Sequence, residues 1–438
     1  MVQYFMSYNW KDRVPVHIEI EQLTDDQQHK LVHSNNFCML PWIHLHAWPD
    51  GRAYPCCLAQ GDHPVGNLKE QTMLQVWNAK DMRELRKNML ADRPSKECTA
   101  CYEQENAGFT SMRNNSNKHF GQHVHEVDLT TTNGSHPEMN IRYWDVRFSN
   151  ICNLKCRSCG SIFSSRWYDD DVKLHGKPLR PRVQVAGRTD MDIWEQMQPH
   201  VPYLEQIYFA GGEPLIMEEH NRILKMLIET GNTKVRLIYN TNLTELRFKK
   251  ENVIELWKHF PQVCVAASLD DMGERAAIIR SGTKWNEVEQ NIRDIKRECP
   301  HIDFMISPTL SMMNIWNFVN FHRYMIEQGF IEPKDFNLNI LQGPEEYRID
   351  ILPQELKLEF KAQFEEHIEW LRSRDPVQRA TGGFEAAIKF MMEHDNSHLL
   401  PNFWRMISDL DWSRNERLIS VVPELAVLLK YKPADARV

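Results

Sequence analysis

Three cysteines, Cys152, Cys156 and Cys159, stand in a CxxxCxxC spacing directly after a strand-like segment. Three thiolates packed this closely can surround one inorganic centre, but a cubic iron–sulfur cluster requires four ligands. An iron left without a protein ligand can bind a small molecule. That single open position turns an electron-transfer cluster into a catalytic one. We call these three residues the cysteine triplet.

Two other interpretations of the cysteine triplet stay open from the spacing alone. Positions i, i+4 and i+7 share one face of a helix, and free cysteine packs as a small hydrophobic residue, so a buried cysteine stripe would fit. Zinc also takes thiolates, although it usually binds four ligands or three plus water. The motifs further along the chain decide between these alternatives.

A second group of cysteines lies upstream of the first. Asp50-Gly51 is a hairpin signal, and the hairpin would bring Cys38 and Cys56 together near its open end. The stretch Thr72 to Leu90 has helical periodicity. Two more cysteines follow it at one-turn spacing. The four candidate ligands, which we call the cysteine quartet, are Cys38, Cys56, Cys98 and Cys101.

Other side chains near the quartet are interpreted as structural. Cys57 adjoins Cys56, and neighbouring strand residues face opposite sides, so Cys57 is predicted to be a packed thiol. We expect His44, His46 and His63 on the surface of the hairpin or its loops. A zinc site with four thiolates remains the structural alternative for this region.

From about residue 141 the chain alternates strand-like and helix-like segments, which indicates a parallel sheet with crossover helices. Polar motifs follow the strand ends: Gly211-Gly212-Glu213-Pro214 after the second, Asn240 at the third, and Ser268 with Asp270 at the fourth. The predicted strands are Trp144–Ser149, Gln206–Ala210, Val235–Thr241, Val263–Leu269, Asp303–Leu310 and Phe336–Gln342.

Composition narrows the class of protein. The net charge of −8 argues against general nucleic-acid binding, which needs a basic face. The first ten residues lack the basic start and apolar core of a signal peptide, and no stretch is long enough to span a membrane. Ten cysteines in close groups indicate metal ligands in a reducing cytoplasm rather than disulfides. We therefore expect a cytoplasmic protein without membrane or nucleic-acid partners.

The cysteine triplet followed by Gly211-Gly212-Glu213-Pro214 resembles the radical S-adenosylmethionine (SAM) superfamily. The resemblance implies a [4Fe–4S] cluster on the triplet whose fourth iron is chelated by SAM. One electron from the cluster then yields a 5′-deoxyadenosyl radical, which abstracts hydrogen from a substrate. It further implies that the Gly-Gly-Glu-Pro turn binds the SAM amino group and that Arg280 pairs with the SAM carboxylate.

Further SAM contacts come from the same resemblance. Asn240, Ser268 and Asp270 become candidate SAM contacts, and Thr309 and Ser311 candidates for the adenosine pocket. The alternatives are helix N-caps for Ser268 and Asp270 and a solvated helix charge for Arg280. The residue before the last cysteine is often aromatic in this superfamily but is Ser158 here, which shifts the adenine contact to Phe163 or Trp167.

The cysteine quartet, with Gly66-Asn67-Leu68 and Trp77 between its members, resembles the Twitch domain, the shortened form of the SPASM domain. This resemblance implies an auxiliary [4Fe–4S] cluster on all four thiolates. In the better-known members the domain follows the radical SAM core, whereas here it comes first.

These resemblances imply an α/β fold, a partial (βα)6 radical SAM barrel with an N-terminal Twitch domain (β-hairpin plus helices) and a C-terminal helical extension. Chemistry in such barrels lies on loops at the carboxyl ends of the strands. The predicted divisions are an N-terminal segment (1–36), the Twitch domain (37–113), a linker (114–140), the barrel (141–345) and the helical extension (346–438).

The sequence thus predicts a radical SAM enzyme with two [4Fe–4S] clusters and SAM as cofactors. Its electron donor would be a flavodoxin or ferredoxin, and its substrate a small molecule, a sugar, or a peptide or protein side chain. The short N-terminal segment disfavours a separate peptide-leader-binding domain. Two alternatives are a non-catalytic iron–sulfur or zinc-binding scaffold and a zinc-ribbon nucleic-acid binder, which the acidic charge disfavours.

Overall fold

The computed structural model describes residues 14–59, 63–106, 110–188 and 193–437. The first thirteen residues of the predicted N-terminal segment therefore lie outside the described residues. The chain divides into two compact units. Unit 1 comprises residues 1–149, 185–211 and 219–238, and unit 2 comprises residues 150–184, 212–218 and 239–438.

Unit 1 is built on a hairpin joined edge-on to parallel strands. The strand His44–Ala47 pairs antiparallel with Arg52–Tyr54 through the predicted Asp50-Gly51 turn, where Gly51 adopts a φ of +91°. Its other edge pairs in parallel with Tyr143–Val146, and all four of its residues are buried. The remaining strands of unit 1 are Gly66–Asn67 beside Arg52–Tyr54 and Gln206–Phe209 beside Tyr143–Val146.

Short helices surround these strands. The predicted helix Thr72 to Leu90 is divided in two, because Asn78 leaves helical geometry and its side chain instead bonds the backbone of His136. The α-helices are Asp25–Gln28, Leu40–Ile43, Met73–Trp77, Lys80–Leu90, Thr99–Asn106, Met112–Phe120, Ile193–Met197 and Glu218–Glu229. Shorter or tighter turns are Ile20–Gln22, His29–His33 (a π-helix), Lys96–Cys98, Gly121–Leu129 and Gln198–Tyr203.

Unit 2 contains further parallel strands. Val263–Ala267 pairs in parallel with Asp303–Ile306, and Thr309–Leu310 with Asn339–Ile340. All six predicted strands are present, although the last is reduced to two residues. The strand Arg236–Thr241 is divided between the units after Ile238. Short antiparallel pairs join Lys155–Cys156 to Arg280–Ser281 and Arg247–Phe248 to Glu251–Asn252.

The helices of unit 2 alternate with these strands and continue beyond them. The α-helices are Tyr168–His175, Val253–Trp257, Gly273–Ile279, Trp285–Glu298, Phe318–Glu327, Gln354–Leu371, Arg379–Glu393, Leu400–Arg414 and Leu418–Val421. The 3-10 turns are Ser165–Trp167, Pro214–Ile216, Ile315–Asn317, Pro333–Asp335, Glu345–Tyr347, Ile349–Ile351, Ser397–Leu399 and Pro423–Tyr431.

The predicted helical region after residue 346 is present, and several of its aromatic side chains pack in the core with Phe336 from the preceding segment. Phe336, Phe364 and Phe384 are each fully buried, and Phe384 packs edge-on to Phe364 at a ring distance of 5.2 Å. The mixed α/β class, its parallel-rich sheet and the helical C-terminal region are therefore confirmed. Within the described ranges, no helix has the length and apolar character needed to cross a bilayer.

Candidate active site and metal centres

The cysteine triplet lies on an irregular loop, so the helical cysteine stripe is wrong. Lys155–Cys156 forms a two-residue strand against Arg280–Ser281, and the backbone N–H of Arg157 donates to the carbonyl of Ile279 at 2.8 Å. Burial raises the pKa of Cys152, and the charges of the neighbouring Cys156 and Cys159 raise it further. This loop geometry suits three ligands of one cluster better than a packed apolar face.

Buried polar side chains hold the loop in place. Asn150 is fully buried, donates to the carbonyl of Ser161 at 2.8 Å and accepts from the backbone N–H of Gln184 at 2.8 Å. The hydroxyl of Ser164 donates to the carbonyl of Leu154 at 2.6 Å. Trp167 donates its indole N–H to the carbonyl of Cys156 at 3.0 Å. Every buried bond of this kind would be costly to break, so the loop is preorganised.

The glycine turn that follows the second predicted strand packs directly on this loop. A Cβ atom on Gly212 would lie 2.0 Å from the carbonyl oxygen of Ile151, so only glycine fits. The backbone N–H of Glu213 donates to the same carbonyl at 2.8 Å. The turn and the residue before Cys152 are therefore joined backbone to backbone.

The carboxylate of Glu213 ties the turn to the end of the next strand. It is 1% exposed and accepts hydrogen bonds from the hydroxyl of Thr241 at 2.7 Å, the N–H of Asn242 at 2.8 Å and the N–H of Leu215 at 3.1 Å. Burial raises the pKa of Glu213 to about 7 despite these donors. Asn242 in turn donates to the side chain of Asn153, within the cysteine loop, at 2.9 Å.

Arg280 and Asp270 form a buried ion pair beside the triplet. Arg280 Nε lies 2.8 Å from Asp270 Oδ2, and the two side chains are 16% and 4% exposed. Arg280 Nη1 lies 3.8 Å from Cys156 Sγ. The alternatives of a solvated charge for Arg280 and an N-cap for Asp270 are therefore wrong, since Asp270 accepts instead from Arg280 and the N–H of Thr309. The predicted pairing of Arg280 with the SAM carboxylate stays a prediction.

The remaining predicted SAM residues lie at strand ends of unit 2. Asn240 Oδ1 is buried, and the described residues supply it with no hydrogen-bond partner. Ser268 is half-buried, and its N–H donates to the carbonyl of Thr241 at 2.7 Å. The backbone N–H of Ser311 donates to Asn314 Oδ1 at 2.7 Å, and Asn314 donates to the carbonyl of Thr309 at 3.0 Å, so the adenosine contacts of Ser311 and Thr309 stay predictions. The unpartnered amide oxygen of Asn240 is a fitting group for a bound cofactor.

The chemistry of the triplet fits a cluster ligand set. Burial raises the pKa of all three thiols, to about 12 for Cys159, while the charge of Arg280 opposes that rise at Cys156 and Cys159. Such thiols bind metal with release of their protons. Within the described residues, no three His, Cys, Asp or Glu side chains converge closely enough to hold a single metal ion.

The cysteine quartet surrounds one cavity in unit 1. The cavity encloses an empty volume of about 300 Å³, which includes space open to solvent. The side chains around it are mainly sulfur-bearing and apolar, and they include Cys38, Leu40, Cys56, Leu58, Cys98, Cys101 and Met112, with Glu97 and Arg113. Burial and the neighbouring thiols raise the pKa of Cys56, and burial raises that of Cys98 to about 12. Four thiols around one apolar space fit a fully protein-ligated cluster.

The helix Met112–Phe120, which begins just before the predicted linker, supports this cavity. Arg113 is 2% exposed, donates to the carbonyls of Ser34 and Phe37 at 3.0 and 2.9 Å and pairs with Glu105. Asn117 accepts from the N–H of Met39 at 2.8 Å. These bonds fix the backbone on both sides of Cys38.

Two histidines of the hairpin differ from the sequence expectation. His44 and His46 are each 1% exposed, so their predicted surface position is wrong. The physical reason is the parallel strand Tyr143–Val146, which covers the second edge of the hairpin strand. Cys57 does not line the cavity of the quartet; burial raises its pKa, and the charge of Asp145 raises it further. Only the tertiary pairing could reveal Asp145 as the partner of His46.

Comparison with known families separates the two groups of cysteines. Residues 146–321 match the model of the radical SAM superfamily. Residues 38–102 match the SPASM model, described as an iron–sulfur cluster-binding domain. The triplet lies within the first match and the quartet within the second.

Individual relatives are distant. A 7,8-dihydro-6-hydroxymethylpterin dimethyltransferase of Methanocaldococcus jannaschii is 20% identical over 166 residues, which are 38% of this chain and 29% of that protein. A histidine-tagged anSMEcpe with bound AdoMet is 18% identical, with a TM-score of 0.37, over 52% of this chain and 58% of that one. Streptococcus suis SuiB bound to the precursor peptide SuiA is 11% identical, with a TM-score of 0.36, over 68% and 67%.

The chain thus spans less than two thirds of the length of the dimethyltransferase and of anSMEcpe. The two family matches imply a catalytic [4Fe–4S] cluster, an auxiliary [4Fe–4S] cluster and SAM. They also support an enzyme. This chain is a radical SAM protein whose SPASM-type, Twitch-like cluster-binding domain precedes its radical SAM domain.

Proposed function

We propose that this chain reductively cleaves SAM at a [4Fe–4S] cluster held by Cys152, Cys156 and Cys159 and abstracts hydrogen from a substrate. An auxiliary [4Fe–4S] cluster on Cys38, Cys56, Cys98 and Cys101 accompanies it. The observation that carries the proposal is the preorganised cysteine loop, which offers three thiols and is joined by backbone contact to the glycine turn at Gly212.

When bound, the cluster supplies the single electron that cleaves SAM. The residues of the chain hold and shield that chemistry. Arg280 brings a positive charge within 3.8 Å of Cys156 Sγ, and Asp270 fixes its orientation. Glu213 holds the Gly-Gly-Glu-Pro turn against the loop through its bonds to Thr241 and Asn242. In this position the backbone of Gly211 and Gly212 would contact the SAM amino group. Asn240, Ser268 and Pro214 complete the proposed SAM contacts.

The auxiliary site has a different role in this proposal. Four thiols around the cavity leave no iron for a small molecule, so its cluster would transfer electrons or set the potential. Arg113 places a buried positive charge near Cys38 and Cys101, and its charge lowers the pKa of both thiols against the larger effect of burial. That charge stabilises the thiolate form that metal binding requires.

The proposal is tested with the full chain, reconstituted anaerobically with iron and sulfide. We expect about eight irons per chain, two cubic clusters' worth, and 5′-deoxyadenosine after reduction with dithionite in the presence of SAM. The triple variant Cys152→Ala/Cys156→Ala/Cys159→Ala should retain about four irons and form no 5′-deoxyadenosine.

A matched control is Cys299→Ala, which removes a buried thiol of the same unit that contacts the carbonyl of Ile254. It should keep both the iron content and the product. Intact SAM with a fully loaded wild-type protein would contradict the enzyme and favour a non-catalytic scaffold. About four irons with bound zinc would instead assign zinc to the quartet.

The proposed partners follow from this chemistry. The reduced cluster needs a one-electron donor, for which we propose a flavodoxin or ferredoxin in the cytoplasm. The proposed substrate classes are a small molecule, a sugar, or a peptide or protein side chain. Replacing dithionite by reduced flavodoxin should sustain 5′-deoxyadenosine formation, and absence of product with every flavodoxin and ferredoxin tried would contradict this choice of donor.

A further inference from the structure

A buried ion pair between Arg113 and Glu105 lies beside the cavity of the cysteine quartet, within unit 1. Arg113 is one of the residues that line the cavity, and its side chain is 2% exposed. The side chain of Glu105 is 10% exposed, and Glu105 does not belong to the lining. The positive member of the pair is therefore the one that reaches the cavity.

Oxygen acceptors occupy the whole guanidinium of Arg113. Nε donates to Glu105 Oε1 at 2.9 Å, and Nη2 donates to Glu105 Oε2 and, at 3.4 Å, to Asn114 Oδ1. Nη1 donates to the carbonyls of Ser34 and Phe37 at 3.0 and 2.9 Å. A guanidinium has five N–H donors, and these five bonds use them all. The guanidinium of Arg113 can thus act on the cavity through its charge, but not as a hydrogen-bond donor to a sulfur atom.

The charge of Arg113 acts on three of the four candidate ligands. Burial raises the pKa of these thiols, which are those of Cys38, Cys98 and Cys101. The charge of Arg113 opposes that rise at each of them. At Cys101 the charge of Glu105 acts in the opposite sense, whereas the pair acts on Cys38 and Cys98 through Arg113.

A purely structural role is the alternative for Arg113. Its bonds to the carbonyls of Ser34 and Phe37 fix the backbone before Cys38. A neutral side chain with two N–H donors could make such bonds, and it would avoid the cost of removing a charge from water. A structural role therefore leaves unexplained why a buried positive charge lies beside a cavity lined by thiols.

We propose that Arg113 is a positioning residue that raises the midpoint potential of the auxiliary cluster through its charge, while Glu105 holds the guanidinium in place and moderates its field. The inference rests on the proposed function, because the quartet must hold the [4Fe–4S] cluster. Reduction adds one electron to that cluster, so a nearby positive charge stabilises the reduced form more than the oxidised form. Net charge is one of the factors that set the potential of iron–sulfur centres.

The test is a potentiometric titration of a full-length parent that carries Cys152→Ala/Cys156→Ala/Cys159→Ala, so that only the quartet can load. Dithionite supplies the electron, and the electron paramagnetic resonance signal of the reduced cluster reports the midpoint potential. Arg113→Gln removes the charge but keeps N–H donors, and we expect a lower midpoint potential. Arg113→Lys keeps the charge without the guanidinium and should stay close to the parent.

Glu105→Gln tests the sign of the effect. This substitution removes the counter-charge, while the amide oxygen can still accept from Arg113 Nε, so the midpoint potential should rise. The matched control is Arg93→Gln, which removes an exposed positive charge from the same unit. Water and salt screen that charge, so the midpoint potential should equal that of the parent.

Each outcome decides the proposal. Equal midpoint potentials in the parent and Arg113→Gln would overturn it, and so would a shift of Arg113→Lys as large as that of Arg113→Gln. If Arg113→Gln does not retain iron, Glu105→Gln decides, and an unchanged or lower potential there would refute the role of the charge.

Failure of the proposed function gives a different result. A parent that binds no iron would contradict the proposed auxiliary cluster itself, and this inference with it. A loaded parent whose midpoint potential responds to neither the charge of Arg113 nor that of Glu105 would contradict only this inference.

Discussion

Gly212 shows how a single missing side chain controls the cysteine loop. In Gly212→Ala the new Cβ would lie 2.0 Å from the carbonyl oxygen of Ile151, a backbone atom that cannot rotate away. The loop must shift, at a cost of about 1–3 kcal/mol or more for such overpacking. We expect the variant to lose the cluster of the triplet and to retain about four irons, measured after reconstitution.

The matched control is Gly160→Ala, directly after Cys159. A Cβ at Gly160 meets no atom within 4 Å, so this variant should keep about eight irons. Full iron content in Gly212→Ala as well would show that the contact between turn and loop is dispensable.

Asp270 provides the counter-charge of Arg280, and its removal should lower the free energy of unfolding. Asp270→Asn leaves a guanidinium that is 16% exposed without its ion pair, and breaking a buried pair costs about 3–5 kcal/mol. We expect a lower urea midpoint in equilibrium unfolding. The control Asp294→Asn breaks a pair with Arg297, which is 61% exposed, and should change stability by about 0.5 kcal/mol or less. Equal effects of the two substitutions would contradict a buried role for Asp270.

The sequence predicts the role of a residue well where local spacing defines the site. It predicts poorly where a strand distant in sequence determines the residue's surroundings. Cys152, Cys156 and Cys159 are a local pattern, and their grouping follows from it. His46 gives no such signal, because its partner Asp145 lies 99 positions away and only the parallel register brings them together. Whether a histidine on a hairpin faces solvent depends on whether the outer edge is covered.

At the scale of elements, the helix Leu400–Arg414 and the residues after it clamp the cysteine loop. Arg157, between Cys156 and Cys159, is buried and pairs with Asp411 at 2.5 Å and Glu416 at 2.8 Å. Arg414 donates to the carbonyl of Lys155 at 2.8 Å. These contacts are all within unit 2, and they assign a positioning role to the C-terminal helices.

Removing both counter-charges of Arg157 should loosen the loop. In Asp411→Asn/Glu416→Gln the buried guanidinium loses its ion pairs at a cost of about 3–5 kcal/mol, so the cluster should be lost faster to an iron chelator. The control Asp409→Asn, on the same helix, breaks a half-exposed pair with Arg437 and should leave the rate unchanged. Identical rates of iron loss in both variants would refute the clamp.

A helix of the barrel range and the first helix of the C-terminal region carry a pH dependence. His322 on Phe318–Glu327 and His367 on Gln354–Leu371 are fully buried, and His322 Nδ1 lies 3.0 Å from His367 Nε2. Burial lowers the pKa of both, to about 3 for His367. An unfolded histidine titrates near pH 6.5. Below that pH the unfolded state binds protons that the buried pair does not bind. The contribution of the pair to the free energy of unfolding is therefore present above about pH 6.5 and is lost as the pH falls toward 3.

The expected slope is about 1.4 kcal/mol per pH unit for each histidine between these limits. His367→Gln retains a hydrogen-bonding side chain but cannot titrate, and it should flatten the dependence measured by urea unfolding from pH 6 to pH 4. The exposed His398→Gln serves as the control and should leave the slope of the wild type intact. A slope in His367→Gln as steep as in the wild type would rule out this pair as its source.

The success of the element predictions has a physical limit. The strand Val263–Ala267 is buried throughout, and its continuous run of apolar residues predicts it. The turn residues Asp50-Gly51 predict the hairpin. Phe336–Gln342 begins with alternating apolar and polar residues, which also predicts a strand, yet only Asn339–Ile340 completes a ladder. Tertiary pairing decides how far a strand extends. In the same way, the tertiary hydrogen bonds of the Asn78 side chain decide where the helix that begins at Met73 is broken.

At the scale of the whole molecule, each ligand set belongs to one compact unit. The quartet lies in unit 1 and the triplet in unit 2. Every hydrogen bond that we describe around Cys38 comes from unit 1, through Arg113 and Asn117, and every one around the triplet comes from unit 2. The two clusters should therefore load independently, because neither ligand set draws its preorganisation from the other.

We therefore expect Cys38→Ala/Cys98→Ala to fall from about eight to about four irons per chain while the remaining cluster still changes its electron paramagnetic resonance signal on addition of SAM. Cys57→Ala, next to a ligand of the quartet but outside its cavity, should keep about eight irons and is the matched control. Loss of all iron in the double variant would mean that the triplet depends on a loaded unit 1. Four irons that no longer respond to SAM would mean that the open iron position lies in the quartet, against the assignment made here, since four thiols around one cavity leave no iron free.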